Sequence, residues 1–380
     1  MLGTLIDRVL RGLRQGAPSA PARRPFPEGG FVAFVTDVRT ARRMQSDSSY
    51  TAELASTRLR LLIPARQLAE RVPVWLAPYQ EFARDPQLRQ LGRAGAVVIG
   101  KVPVQTVIDQ REVLEGVLES ALRATIPVFA DLSDDYAAFG ETLKQPFLAQ
   151  YQARLGRCCT FIVPCEALAR AVGKQAIHGV IVVEDPYESA AASPVRTAAS
   201  SPLRLVWFGN LVSVNLSLVE QSLGALAAAF SGSALSIEFL AQNSARRAVL
   251  EIGARLSRAH AGVKVIFSAW SLQATEEAIA RCDFVWLPQE YKSAWGRVKS
   301  HNRLVAAIRG GRLAVASPVP AYEELSAYAW VGEDLAAGIR WALANPDAAA
   351  QRVAAGQRYV EERFSPQTVG RKWAAALGVA

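Results

Sequence analysis

The sequence predicts an α/β protein made of two doubly wound parallel sheets, one in each half of the chain. Three observations predict it. Apolar runs recur without alternation, amphipathic stretches of helical spacing separate them, and the pattern breaks once, over residues 187–202. A strand with one wet face alternates, whereas a run that is apolar throughout has both faces covered, as in a parallel sheet flanked by helices. Strands alternating with helices through short connections select the doubly wound arrangement. At 380 residues the chain exceeds one ordinary core, which again implies two domains.

Residues 1–27 stand apart from that pattern. Leu2, Leu5, Ile6, Val9, Leu10 and Leu13 share one helical face, and Arg8, Arg11 and Arg14 lie off it. Such a basic amphipathic helix suits an anionic membrane surface or the surface of a folded domain. Gly16 to Pro27 then forms a Pro/Ala/Arg-rich tether. The first domain is expected over 28–186. Its strands are FVAFVTD (31–37), VPVWLAP (72–78), AGAVVIG (94–100), TIPVFADLSDD (125–135), CTFIVP (159–164) and GVIVVEDP (179–186). Amphipathic stretches at 58–70, 111–123 and 165–175 read as helices between them. The segment 38–57 is long and polar for a strand-to-helix connection and reads as a recognition loop.

Residues 187–202, YESAAASPVRTAASSP, are small, polar and Pro-containing, the composition of an interdomain linker. The second domain is expected over 203–364. Its strands are LRLVWFGN (203–210), ALSIEFLA (234–241), VKVIFSAW (263–270), CDFVWLP (282–288), RLAVASP (312–318) and AYAWVGE (327–333). The last helices run from Leu335 to Val360 and, after Ser365-Pro366, to Leu377.

Composition narrows the function classes. Hydrophobic residues make up 51% and charged residues 20%, a folded composition, and no apolar run reaches the ~20 residues that span a bilayer. No uninterrupted apolar core followed by a small-residue cleavage site marks a secretory signal. Cys158, Cys159, Cys165 and Cys282 lack CxxC spacing and read as buried free thiols of a reducing cytoplasm. The net charge of +9 suits phosphorylated substrates or anionic surfaces. Scattered arginines without a basic-aromatic signature or zinc-finger spacing argue against nucleic acid. No GxGxxG follows either opening strand, which argues against a dinucleotide-dependent dehydrogenase.

In open α/β sheets ligands bind beyond the carboxyl ends of the strands. The richest such place is Lys299-Ser300-His301-Asn302-Arg303, a polar, basic lead-in to a short helix that stops at Gly310-Gly311. Helix N-termini favour anions, so Lys299, Ser300, His301 and Asn302 are the expected diphosphate ligands, with Arg297 or Lys292 assisting and Gly209 and Asn210 opposite. Gln242, with Asn243, and Trp270 follow strands where a base or ribose would lie. Asp37 and Asp134 are candidate general bases, although each is as well explained as a cap or turn carboxylate, as are Asp131 and Asp135. Asp47, Arg58 and Arg60 are placed at the second substrate. No metal-ligand cluster is seen.

The layout resembles the GT-B glycosyltransferases, two Rossmann-like domains facing across a cleft. It is similar in particular to the large retaining family of bacterial lipopolysaccharide, capsule and glycan assembly. The resemblance rests on VWFGN (206–210), RCDFVWLPQ (281–289), KSHNRLVAAIRGGRLAVASPVPAYEEL (299–325) and FSPQTVGRKWAAAL (364–377), and covers about 30–377. It implies a cytoplasmic enzyme, peripheral on the inner membrane face through residues 1–15. It would move a sugar from a nucleotide sugar to a glycan or lipid-linked acceptor, with no metal or other cofactor. A C-terminal helix would cross back onto the first domain. Many members carry two glutamates eight positions apart, the second on the donor helix at the sugar or ribose. The resemblance puts Glu290 near the first, at the donor's base or ribose, while Val305 or Ala306 stands in the place of the second. A GT-B epimerase, a phosphorylase and a non-catalytic binding or scaffold subunit share the architecture, and retaining and inverting transfer both remain open.

Overall fold

A computed structural model describes residues 26–46, 54–82, 89–100, 111–189, 191–196, 199–211 and 213–379. The helix expected over residues 1–15 and the candidate Asp47 lie outside these.

The twelve apolar runs form twelve strands in two sheets of six. In the first half these are β1 (Val32–Thr36), β2 (Val74–Pro78), β3 (Ala96–Ile99), β4 (Val128–Asp131), β5 (Thr160–Val163) and β6 (Val180–Val182). They pair in parallel in the order β2-β1-β3-β4-β5-β6. The second half supplies β7 (Leu203–Phe208), β8 (Leu235–Ala241), β9 (Val263–Ala269), β10 (Phe284–Leu287), β11 (Leu313–Ala316) and β12 (Trp330–Val331). Their order is β12-β11-β10-β7-β8-β9, again all parallel. The runs lack alternation because both faces of each sheet are covered. Val32, Ala33, Phe34 and Val35 of β1 alternate between two separate cores, yet all four are buried.

One expectation is corrected here. The first part of the polar segment 38–57 is not a loop, because Val38–Ser46 is a helix; residues 47–53 lie outside the described ones. Among its described side chains Thr40 and Ala41 are buried and Met44 is half-buried beside them, while Arg39, Arg42 and Arg43 are exposed. The stretch 187–202 has no regular structure where it is described, but it is pinned to the second domain. Tyr187 N–H donates to Phe364 O, Ser193 N–H to Arg309 O and Arg196 N–H to Gly311 O.

The chain closes on itself at Ser365. Its hydroxyl accepts from Thr368 N–H, and Pro366 opens the last helix, Pro366–Leu377. That helix lies on the first domain, where Trp373 is fully buried against Phe34 (ring centroids 5.9 Å). Glu184, just after β6, binds Lys372 (2.6 Å) and Arg363 (2.8 Å) and so fastens both final helices. Apolar contact joins the domains as well: Val298 and Ala321 of the second half are buried in the first domain's core.

Candidate functional site

Each sheet has a switch point, where successive connections leave in opposite directions and open a crevice. In the second sheet it lies between β7 and β10, which the chain visits far apart in sequence. The loops leaving those strands, Gly209–Asn210 and Pro288–Gln289, form one wall of a cleft of about 1190 Å³. The first domain contributes Arg58, Arg60, Asp134 and Asp185, and the linker contributes Tyr187 to Ser189. Gly209 has φ +148°, a conformation that side chains rarely adopt.

Lys299, Ser300, Asn302, Gly209, Asn210, Gln242, Trp270, Glu290, Arg58, Arg60 and Asp134 all line this cleft. Their side chains are engaged in ways that change several expected roles. Lys299 forms an ion pair with Asp134 across the domains, and its ammonium lies 3.6 Å from the Trp295 ring centroid. Trp295 in turn stacks on Phe139. Ser300 donates to Asp185 (2.7 Å). Arg58 makes a two-pronged pair with Glu188 and covers the Trp270 ring at 4.6 Å, so one expected base platform is already occupied on that face.

Five assignments are corrected. His301 does not reach the cleft: its ring is buried edge-on against Phe364 (4.9 Å), because the backbone turn that starts the helix directs it inward. Asp37 is absent from the cleft and accepts from Thr40 N–H at the start of its own helix. Arg60 is buried and held by Asp131 (2.6 Å) and Asp185 (3.3 Å), so it is structural and not a ligand for an acceptor. Gln242 spends its amide on the Leu211 backbone, accepting at 3.0 Å and donating at 2.6 Å, and so shapes the Gly209 loop. Glu290 accepts from Lys292 N–H, Ser293 N–H and the Ser293 hydroxyl. Burial opposes its charge, but those hydrogen bonds outweigh burial and hold its pKa below the usual value. Of the expected assistants, neither Arg297 nor Lys292 lines the cleft.

Asp131 and Asp135 are also accounted for, the first as the partner of Arg60 and the second as the N-cap of Tyr136–Leu143. Arg58 and Arg60 would face nearly opposite ways on an α-helix. Here Arg58–Leu62 is a π turn, and both guanidinium groups are buried beside the linker. Sequence reasoning missed Asp185 and Glu188, although the strand-end rule applies to GVIVVEDP as it does to the other runs. It also undervalued Arg303 and Gln289. Val305 is buried and Ala306 lines the cleft, so no carboxylate projects from that helix. Among the described residues no three His, Cys, Asp or Glu side chains are grouped to hold a metal ion.

His301 yields a prediction. Burial lowers its pKa below 6.5, against the opposing pull of Glu324, Asp185 and Glu184; Arg363 adds to the lowering. Neither ring nitrogen has a hydrogen-bond partner among the described residues. A lowered pKa means that the unfolded chain binds the proton first. The stabilising contribution is therefore complete above pH 6.5 and is lost as pH falls from there toward the folded-state pKa. His301→Gln should flatten this acid limb in urea midpoints measured between pH 7 and 5; an unchanged slope would assign it to other groups.

No protein-family model matches the chain, and no curated protein matches it. Solved structures do. Anabaena HepE in complex with UDP-glucose superposes with a TM-score of 0.63 at 14% identity, covering 92% of this chain and 100% of that one. A UDP-forming α,α-trehalose-phosphate synthase from Burkholderia xenovorans gives 0.60 at 9% identity, over 91% of this chain and 98% of that chain. TarM from S. aureus gives 0.55 at 12% identity, over 75% and 55%. At these identities the likeness is one of fold: the chain has the two-domain GT-B architecture.

Proposed function

We propose that the protein is a glycosyltransferase that moves a sugar from a nucleoside-diphosphate sugar to a glycan or lipid-linked acceptor. One observation carries this reading. The carboxyl-end loops of both sheets meet at a single cleft that combines an open glycine turn, cationic side chains and an aromatic ring. Departure of a nucleoside diphosphate needs its growing negative charge held by fixed cations and backbone N–H groups. Lys299, Ser300, Asn302 and the Gly209–Asn210 turn are the groups we assign to that end, and the exposed side of Trp270 to the base. Asp134, now paired with Lys299, is our candidate base for the acceptor hydroxyl, and Arg58 faces the acceptor. The cofactor-free reaction, the anchoring of residues 1–15 to an anionic membrane from the cytoplasmic side and a place in surface-polysaccharide synthesis belong to the same reading. The complexes of HepE suggest UDP-sugars as the first donors to try.

Calorimetric titration with UDP, GDP, ADP and dTDP, followed by transfer assays with the matching sugar conjugates, tests the proposal. Selective binding of one diphosphate with turnover of its sugar conjugate is expected. Absence of binding across the set would overturn it. Because Ala306 brings no carboxylate to the cleft, a second reading is a GT-B subunit that binds the nucleotide without transfer. Binding without turnover on any acceptor would favour it.

A further inference from the structure

We propose that Arg303, aimed by Gln289, is a further ligand of the donor's diphosphate, beside the groups assigned to it above; the inference rests on the nucleotide-sugar reading. Among the described residues four cationic side chains line the cleft: Arg58, Arg60, Lys299 and Arg303. Three of them have carboxylate partners, Glu188 for Arg58, Asp131 and Asp185 for Arg60, and Asp134 for Lys299. Arg303 has none among the described residues. It donates to the Gln289 side-chain oxygen and, at 3.5 Å, to Phe208 O, both of them neutral.

A half-buried guanidinium that lacks a countercharge keeps its full attraction for an arriving anion. Its planar fork matches two phosphate oxygens at once. Its position is the switch point itself. Nη1 lies 3.4 Å from where a Cβ on Gly209 would stand, so the absent side chain leaves a backbone-lined gap beside the guanidinium. Gln289 fixes the aim. It is buried, its backbone N–H donates to Ser317 Oγ (3.0 Å), and its side-chain oxygen accepts from Arg303. An amide orients the guanidinium without neutralising it. A carboxylate at this position would do both.

The test uses the full chain and the nucleoside diphosphate that binds it, compared with the corresponding nucleoside and with inorganic pyrophosphate. Arg303→Ala should weaken diphosphate and pyrophosphate binding by about 10- to 100-fold, the range of a hydrogen bond to a charged group. Nucleoside affinity should stay within about twofold, since no phosphate is involved. Gln289→Glu should give the same pattern with Arg303 in place, and Arg303→Lys should restore part of the loss. Melting temperatures identify any variant that fails to fold, in which case Gln289→Glu carries the test. If the wild type binds a diphosphate and folded Arg303→Ala and Gln289→Glu bind it equally well, the assignment is overturned while the nucleotide-sugar reading stands. Equal loss of nucleoside and diphosphate would make Arg303 structural and also overturn it. Failure of the wild type to bind any diphosphate would remove both.

Discussion

Arg60→Met is expected to destabilise the protein by about 3–5 kcal/mol, the usual cost of breaking a buried ion pair from one side. Arg60 is almost fully buried, and so is Asp131; Asp185 is nearly so. Burial by itself would lower the guanidinium pKa, but Asp131 and Asp185 more than reverse this and raise it. Arg60 also donates to Val183 O, and its guanidinium lies 5.2 Å from the Trp373 ring centroid. One side chain thus joins the π turn, β4, the segment that follows β6 and the last helix. Methionine preserves most of the volume and leaves two carboxylates without their cation. Urea denaturation of Arg60→Met at pH 7 measures the loss. The double variant Arg60→Met/Asp131→Leu should recover part of it, because one of the two uncompensated carboxylates is then removed, while Asp185 keeps its hydrogen bond from Ser300. A single variant as stable as the wild type would mean that water reaches the carboxylates.

Much of the architecture is legible locally, and the reason is physical. A strand covered on both faces has to be apolar along its length, so VAFVT or LRLVWF announces itself whatever surrounds it. The helix Asn302–Arg309 is bounded by equally local signals, an Asn at its first position and Gly311 with φ +70° after its last turn. Side-chain direction is not local. His301 and Arg303 are two residues apart in one polar string, yet one packs beneath Phe364 and the other opens to the cleft. Which of them turns inward depends on Phe364, brought from a distant helix. Arg60 looks like a ligand for the same reason, because Asp131 and Asp185 reach it only after the sheet has formed. The segment 38–57 misleads because Arg39, Arg42, Arg43 and Gln45 give the helix Val38–Ser46 a polar composition, which outweighs its few apolar positions.

The linker presents the opposite case, a segment of unremarkable composition held by specific contacts. At Gly311→Ala we expect a loss of about 2–5 kcal/mol, combining about 1–2 for a side chain at positive φ with about 1–3 for overpacking. Gly311 has φ +70°, and an added Cβ would fall within the contact shell of Pro194 O, 2.7 Å from Pro194 C and 2.8 Å from Ser193 O. These are backbone atoms that cannot swing aside. Arg312 donates to Pro194 O (3.0 Å), and Gln357 donates to Ser193 O (2.7 Å), so the linker is clamped from two further sides. The same linker carries Glu188, the partner of Arg58, and directly follows Asp185, the partner of Arg60 and Ser300. A methyl group at Gly311 should therefore reach the cleft as well as the fold, lowering both the denaturation midpoint and nucleotide affinity. If stability falls while affinity is unchanged, the strain is absorbed between Ser189 and Ser193, and the ion pairs at the cleft stay in place without help from the clamp.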